Sequence, residues 1–270
     1  MKLRIITAAV LVPALLAILF VAPKFVTALL FGVFCAVAVY EMLYNTKLVH
    51  HIRLIAYSML AAFLVPLWCF WGMDPIWGKL GVFIFFALLF MEAMLAKTKL
   101  RIERLALCVF AGLLIPYLLS SFVRIIAMEY GRYFVIIPFI VGFLSDTGAY
   151  FVGCRFGKHK LAPVISPNKS IEGVVGGLAC AIVGMLIYGI VMRFAFRFDV
   201  NFLAVLLYGF VGALCGVFGD LCFSVIKRQT GIKDYGNLFP GHGGVLDRFD
   251  SMVMVGAAME LLLVLIPLVK

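Results

Sequence analysis

Long apolar stretches constrain what this chain can fold into. About nine of them follow one another along the 270 residues, each close to the ~20 residues that a helix needs to cross a bilayer. Their polarity does not alternate residue by residue, as it would in the strands of a membrane β-barrel. Composition agrees: 65% of the residues are hydrophobic and 13% charged, against about 45–50% and about 25% in soluble domains. We predict an all-α, polytopic membrane protein whose helices cover 5–22, 25–44, 54–72, 76–96, 104–127, 133–154, 172–192, 202–226 and 249–269.

The distribution of charge predicts the orientation in the membrane. The net charge is +10, and most of the 23 Lys and Arg residues fall on the same side of the predicted helices as the N-terminus. Basic loops favour the cytoplasm, so we predict a cytoplasmic N-terminus. A basic face also attracts anionic lipid headgroups, at about 1 kcal/mol per residue, so the charge is assigned to the membrane and not to nucleic acid. The first apolar stretch follows Lys2 and Arg4 and is interpreted as a retained anchor.

The two halves of the chain differ in their polar residues. Residues 1–132 have short loops and few chemical groups, so we predict a scaffold that faces lipid or a second copy of the chain. We expect Glu41 and Glu92, near the ends of their helices, to pair with loop Lys or Arg residues. Residues 133–270 are interpreted as the catalytic region, because two polar segments there, 153–172 and 227–248, lie on the predicted cytoplasmic face and can meet.

An acid in the eighth apolar stretch is the first candidate for chemistry. Asp220 has Ser224, Lys227 and Arg228 at the helical spacings i+4, i+7 and i+8, which place all four on one helix face. An acid within a membrane helix usually faces the bundle interior or a polar cavity. The structural alternative is that Asp220 only forms an ion pair with Lys227 or Arg228.

Further acids suggest a metal site. Asp146, Asp220 and Asp247 come from three helices and are all predicted near one membrane face, with Asp250 and Glu172 as additional candidates. Mg²⁺ prefers carboxylate oxygens and keeps water and substrate phosphates as further ligands. The basic residues nearby suit a phosphate-bearing substrate and not a transported cation. We therefore predict Mg²⁺, with room for a second cation.

Backbone and basic groups predict phosphate binding. The sequence Gly241-His242-Gly243-Gly244 precedes the last helix, where glycines let backbone N–H groups approach an anion at a helix N-terminus. The alternatives are that acids such as Asp247 sit there because of the helix dipole, and that Ser170 merely caps its helix. The candidate substrate-binding residues are Lys169, Ser170, Ser224, Lys227, Arg228, Lys233, His242, Gly243, Gly244 and Arg248.

These residues resemble a known family signature, that of bacterial CDP-diacylglycerol synthases, also called phosphatidate cytidylyltransferases. The first 130 residues resemble that family only in hydropathy. The signature residues are Ser224, Lys227-Arg228, Lys233-Asp234, Pro240, His242-Gly243-Gly244, Asp247-Arg248 and Asp250. An upstream group of residues also resembles the family, namely Ser145-Asp146-Thr147, Ala149-Tyr150, Gly153, Phe156-Gly157-Lys158, Ser166-Pro167 and Lys169-Ser170.

The resemblance implies the transfer of a cytidylyl group from CTP to phosphatidic acid, which yields CDP-diacylglycerol and pyrophosphate for phospholipid biosynthesis. It implies Mg²⁺ held by Asp220 and Asp247 with help from Asp146, and catalytic roles for Asp220, Asp247, Lys227 and Arg228. It also suggests a homodimer in the cell inner membrane, with the active site facing the cytoplasm.

Two other functions fit parts of the pattern. A CTP-dependent lipid kinase would use the γ-phosphate and release CDP, but the complete signature disfavours it. An ion-coupled transporter would spread its acids through the depth of the bilayer, whereas Asp146, Asp220 and Asp247 gather near one face beside basic residues. The dinucleotide-binding and P-loop glycine motifs are absent from the sequence.

Overall fold

Helices that are long and apolar enough to cross a membrane dominate the fold. The computed structural model describes residues 13–96, 100–238 and 243–269, and the protein is 77% helical. This confirms the predicted all-α, polytopic membrane protein. Seven helical segments among the described residues meet the length and hydropathy expected of a span, namely Lys24–Asn45, Ile52–Phe70, Pro75–Leu95, Ile102–Ala127, Gly131–Phe156, Ile171–Phe194 and Phe202–Gln229.

The two ends of the predicted series of nine need separate comment. The first predicted helix, 5–22, falls partly outside the described residues, and residues 13–21 are helical. The last one, 249–269, corresponds to the helix Leu246–Leu265, which carries four charged side chains and is not among the seven. The number of spans and the side of the N-terminus stay predictions.

The helices are interrupted at a few positions, and one small sheet is present. Within the described residues, there are two π-helical segments: Glu41–Asn45 ends the helical segment that begins at Lys24, and Phe110–Leu114 lies inside a longer one. In chain order the elements are Lys24–Tyr40, Glu41–Asn45, Ile52–Phe70, Pro75–Leu95, Ile102–Val109, Phe110–Leu114, Ile115–Leu119, Ser121–Ala127, Gly131–Phe134, Ile137–Phe156, strands Lys160–Ala162 and Ser166–Ser170, Ile171–Phe194, Phe202–Gln229 and Leu246–Leu265.

The chain divides into two compact units. The N-terminal unit consists of Met1–Arg132 and Gln229–Phe249, and the C-terminal unit consists of Tyr133–Arg228 and Asp250–Lys270. The boundary after Arg132 is the one placed by the sequence. The segment Gln229–Phe249, which the sequence assigned to the catalytic region, groups with the N-terminal helices instead. The assignment of scaffold and catalytic roles to the two parts stays a prediction.

Aromatic packing in the N-terminal unit joins the first turn of the helix Leu246–Leu265 to the helix Lys24–Tyr40. Phe31 stacks on Phe122 with ring centroids 5.0 Å apart. Phe249, in the first turn of the helix Leu246–Leu265, packs against Phe34 at 5.2 Å and against Phe31 at 6.2 Å. This contact positions the segment that leads into that helix.

Close helix packing organises the C-terminal unit. The helices Ile137–Phe156 and Ile171–Phe194 approach each other through small residues, as membrane helices commonly do. A Cβ atom on Gly177 would lie 2.6 Å from the carbonyl oxygen of Ser145 on the neighbouring helix. The antiparallel hairpin Lys160–Ala162 and Ser166–Ser170 connects the two helices. The sequence analysis did not predict this hairpin.

Replacing Gly177 by Ala should therefore destabilise the protein. The added methyl group must push against backbone of the partner helix, so we expect a loss of about 1–3 kcal/mol, typical of overpacking. Thermal unfolding in detergent measures it. The matched control is Gly81→Ala, because a Cβ at Gly81 meets nothing within 4 Å. An unfolding midpoint for Gly177→Ala equal to that of Gly81→Ala would contradict the predicted close packing.

Candidate active site

Asp220 lies in a polar cluster of the C-terminal unit. Its side chain forms an ion pair with the ammonium group of Lys169, which stands on the second strand of the hairpin. The Ser224 hydroxyl donates a hydrogen bond of 3.1 Å to Asp220 Oδ1. The predicted i, i+4 arrangement of Asp220 and Ser224 is therefore confirmed. The Asp220 side chain keeps 27% of its surface exposed, so it remains accessible.

A second acid–lysine pair belongs to the same cluster. Lys227 Nζ lies 3.4 Å from Asp250 Oδ2, and these side chains are only 11% and 13% exposed. Asp250 interacts electrostatically with Asp220 and with Asp146 as well. The structure thus brings together three acids, Asp146, Asp220 and Asp250, and places two lysines beside two of them. Because like charges repel at such a site, the lysines stabilise it.

The partners differ from those expected. Asp220 forms its ion pair with Lys169, whereas the structural alternative from the sequence was an ion pair with Lys227 or Arg228. The Arg228 side chain instead donates a 3.0 Å hydrogen bond from Nε to the carbonyl oxygen of Ile165, in the turn of the hairpin. Arg228 therefore supports the segment that carries Lys169, and its predicted catalytic role stays a prediction.

The start of the helix Ile171–Phe194 is held by its own polar residues. Ser170 caps it by accepting a 3.1 Å hydrogen bond from the Gly173 N–H, as the structural alternative had proposed. Glu172 accepts N–H groups of Lys158 and His159 at 3.2 Å and contacts His159 Nδ1 at 2.6 Å. These contacts fix the loop before the hairpin. The roles of Ser170 in substrate binding and of Glu172 in metal binding stay predictions.

The acids of the C-terminal unit suit a hard divalent ion. Within residues 13–96, 100–238 and 243–269, no three His, Cys, Asp or Glu side chains are grouped closely enough to hold a metal ion alone. An ion at Asp220 and Asp250 would complete its shell with water and phosphate oxygens, which is the usual mode for Mg²⁺. The carboxylate donors and the mutual repulsion of the acids therefore fit Mg²⁺.

Asp247 has a different environment, in the N-terminal unit. It is 6% exposed, and its Oδ2 accepts backbone N–H groups from Tyr235 at 2.7 Å, Gly244 at 3.0 Å and Gly236 at 3.4 Å. Asp247 thus organises the polar loop that precedes its own helix. Its predicted role as a metal ligand stays a prediction.

Two glycines of the predicted phosphate cradle, Gly243 and Gly244, lie against Asp247, and their role in phosphate binding stays a prediction. The Gly244 N–H donates to Asp247, so in this structure that group is used within the protein. Gly243 has a φ of +86°, a left-handed conformation that favours glycine. Its Cβ would also lie 2.9 Å from Asp247 Oδ2. Lys233 and Arg248 are exposed, and their roles in phosphate binding stay predictions. His242 lies outside the described residues.

Sequence reasoning missed the role of Glu41. It was expected to pair with a loop Lys or Arg, but its carboxylate accepts the backbone N–H groups of Val245 at 3.0 Å and Leu246 at 2.8 Å. The general cost of an acid within a membrane helix was the available signal. Glu92, by contrast, does contact a basic residue, with Arg53 Nη1 3.4 Å from its Oε1.

An open cavity of about 500 Å³ lies beside this loop in the N-terminal unit. Both polar side chains and loop backbone surround it. Asn45 in its wall donates a 2.7 Å hydrogen bond to the carbonyl oxygen of Tyr235. The lining residues are Tyr44, Asn45, Lys47, His50, Asp234, Tyr235, Gly236 and Asn237.

Fold and site together define an integral membrane protein with a carboxylate–lysine cluster among its helices. Residues 2–266 match the family model described as the cytidylyltransferase family, and the chain belongs to this family. Members of the family generally depend on a divalent metal ion.

Proteins with similar sequences occur in staphylococci. The chain is 48% identical over 134 residues to a protein of Staphylococcus haemolyticus named phosphatidate cytidylyltransferase. It is 45% identical, again over 134 residues, to proteins of the same name from Staphylococcus saprophyticus and from Staphylococcus aureus strain COL. Each match covers 50% of this chain and 50% of the relative, so the chain spans about half the length of the curated relatives it matches.

Proposed function

We propose that the protein is a phosphatidate cytidylyltransferase, which makes CDP-diacylglycerol and pyrophosphate from CTP and phosphatidic acid. The observation that carries this proposal is the pairing of Asp220 with Lys169 and of Asp250 with Lys227 in a member of the cytidylyltransferase family. The names of the staphylococcal relatives supply the two substrates.

The proposed chemistry needs little proton transfer. A phosphate oxygen of phosphatidic acid, already an anion at neutral pH, forms a bond to the α-phosphorus of CTP, and the bond from that phosphorus to the bridging oxygen breaks to release pyrophosphate. Lys169 and Lys227 bind phosphate oxygens through ammonium groups that Asp220 and Asp250 orient. Lys233 and Arg248, which are exposed on the other unit, are proposed to bind phosphate there.

A divalent ion, proposed to be Mg²⁺, would be held by Asp220 and Asp250 of the C-terminal unit, with Asp146 as a further acid. The metal-binding role of Asp247 stays a prediction from the sequence. When bound, the ion neutralises charge on the phosphate oxygens and on the leaving pyrophosphate. The acids keep the two lysines in place, because each carboxylate counters one ammonium group.

The setting of the enzyme is part of the proposal. The helices make it a membrane protein, and its basic side is proposed to face the cytoplasm, where CTP is found, with phosphatidic acid reached from the bilayer. We further propose a homodimer in the cell inner membrane and no nucleic-acid partner, since a basic membrane face accounts for the net charge of +10.

The test is a product assay with the purified full chain in mixed micelles that contain phosphatidic acid. We expect pyrophosphate and CDP-diacylglycerol to form only when CTP and Mg²⁺ are both added. Micelles of diacylglycerol replace those of phosphatidic acid in the control, because that lipid lacks the attacking phosphate. Release of CDP with a phosphorylated lipid would instead establish a lipid kinase, and a full rate without any divalent ion would contradict the proposed metal site.

A further inference from the structure

We propose that Glu41, in the N-terminal part of the chain, is a positioning residue for the polar loop that precedes the helix Leu246–Leu265 and is bound by Asp247. The residue lies 204 positions before Val245, the first loop residue that it binds. The structural part of this inference is independent of the reaction, and its effect on turnover rests on the proposed function.

The two oxygens of Glu41 are used by one helix terminus. Oε1 accepts the Val245 N–H at 3.0 Å and Oε2 accepts the Leu246 N–H at 2.8 Å. The first N–H groups of a helix have no partner within the helix, and a carboxylate at that end is favoured by the helix dipole. Because Glu41 is only 3% exposed, water replaces it poorly, and the start of the helix Leu246–Leu265 depends on it.

Two glycines of the loop make room for this carboxylate. A Cβ atom on Gly236 or on Gly244 would overlap the Glu41 carboxylate. The loop therefore contacts Glu41 at both of these positions. Of the two, the sequence had suggested phosphate binding for Gly244 alone, and the structure assigns the small size of both Gly236 and Gly244 to contact with Glu41.

Glu41 and Asp247 together hold the same backbone. Asp247 accepts the N–H groups of Tyr235, Gly236 and Gly244, and Glu41 accepts those of Val245 and Leu246. Asn45 adds a bond to the Tyr235 carbonyl. Glu41 and Asn45 are the first and last residues of the π-helical segment, a rare geometry that is frequent at functional sites.

The consequence concerns Asp247 and the basic residues near it. Both oxygens of Glu41 bind backbone amides, so Glu41 acts on the reaction through the loop and not on substrate. Without the hydrogen bonds from Val245 and Leu246 to Glu41, Asp247 and Arg248 should shift. A displacement of about 1 Å can cost ~100-fold in rate. Glu41 is thereby a part of the catalytic architecture contributed by the half of the chain that the sequence predicts to be scaffold.

The experiment compares Glu41→Gln and Glu41→Ala with Glu92→Gln in the purified full chain. Glu92 is a matched control because it is an acid of the same unit, 6% exposed, that contacts Arg53 and His51 and not the loop. Hydrogen exchange of peptides that contain Val245 and Leu246 should accelerate about tenfold or more in Glu41→Ala, and less in Glu41→Gln, which keeps one acceptor oxygen. We expect kcat to fall about 10- to 100-fold in the same order, while Glu92→Gln matches the wild type in both measurements.

The outcomes separate this inference from the proposed function. Unchanged exchange at Val245 and Leu246 in both Glu41 variants would overturn the inference, whether or not the wild type turns over CTP. Faster exchange with a wild-type kcat would overturn the link to catalysis. If the wild type makes no CDP-diacylglycerol, the proposed function fails, and the exchange measurement still decides whether Glu41 holds the loop.

Discussion

Asp220→Asn should reduce CTP-dependent pyrophosphate release by at least about 100-fold, the order expected when a charge-stabilising group is lost. Asn keeps the size of the side chain but removes the charge that pairs with Lys169 and interacts with Asp250. Lys169 then loses the partner that orients it, and the proposed metal site loses most of its affinity for Mg²⁺. Initial rates with phosphatidic acid at several Mg²⁺ concentrations measure the effect.

A matched acid in the same unit provides the control. Asp199 is exposed and lies between two long helices, outside the cluster, so Asp199→Asn should retain the wild-type rate. Thermal unfolding of both variants should stay close to that of the wild type, because Asp220 is partly exposed and its partner Lys169 can be solvated. A wild-type rate in Asp220→Asn would remove Asp220 from the reaction.

Hydropathy was sufficient to predict most of the fold. In a bilayer every backbone polar group must be satisfied within the protein, so long apolar stretches have almost no alternative to helices. The hairpin Lys160–Ala162 and Ser166–Ser170 escaped prediction because its strands are short and polar and read as a loop. It matters for function, since its second strand carries Lys169, the partner of Asp220.

Local spacing predicted the parts of the site that lie on one helix. Asp220 and Ser224 are one turn apart, so helix geometry alone implies their contact, which the structure contains. The pairing of Lys227 with Asp250 and of Lys169 with Asp220 depends on how separate elements pack, and sequence spacing carries no information about it.

Glu41 shows the same limit at longer range. A lone acid near the end of an apolar helix indicates a buried polar contact, and a basic loop residue is the commonest partner to expect. Its actual partners are backbone amides of Val245 and Leu246, which have no side-chain signature. The nearby glycines were visible, but their relation to Glu41 required the fold.

Asp247→Ala should abolish activity and also destabilise the N-terminal unit, which distinguishes it from Asp220→Asn. Removal of the buried carboxylate leaves the N–H groups of Tyr235, Gly236 and Gly244 without their acceptor. Hydrogen bonds to charged groups contribute about 1.5–3 kcal/mol, so we expect the free energy of unfolding to fall by about 3 kcal/mol. Thermal unfolding in detergent and the pyrophosphate assay measure the two effects on the same preparation.

Glu103→Gln is the control for that variant, because Glu103 is an acid of the same unit that is 65% exposed and lies 3.8 Å from Arg101. An exposed pair of this kind contributes about 0–1 kcal/mol, so its replacement should change neither stability nor rate. Full stability of Asp247→Ala together with lost activity would show that Asp247 acts on substrate or metal alone, and the structural role described here would be wrong. Reduced stability with a wild-type rate would instead leave Asp247 as a loop-organising residue and contradict its predicted role as a metal ligand.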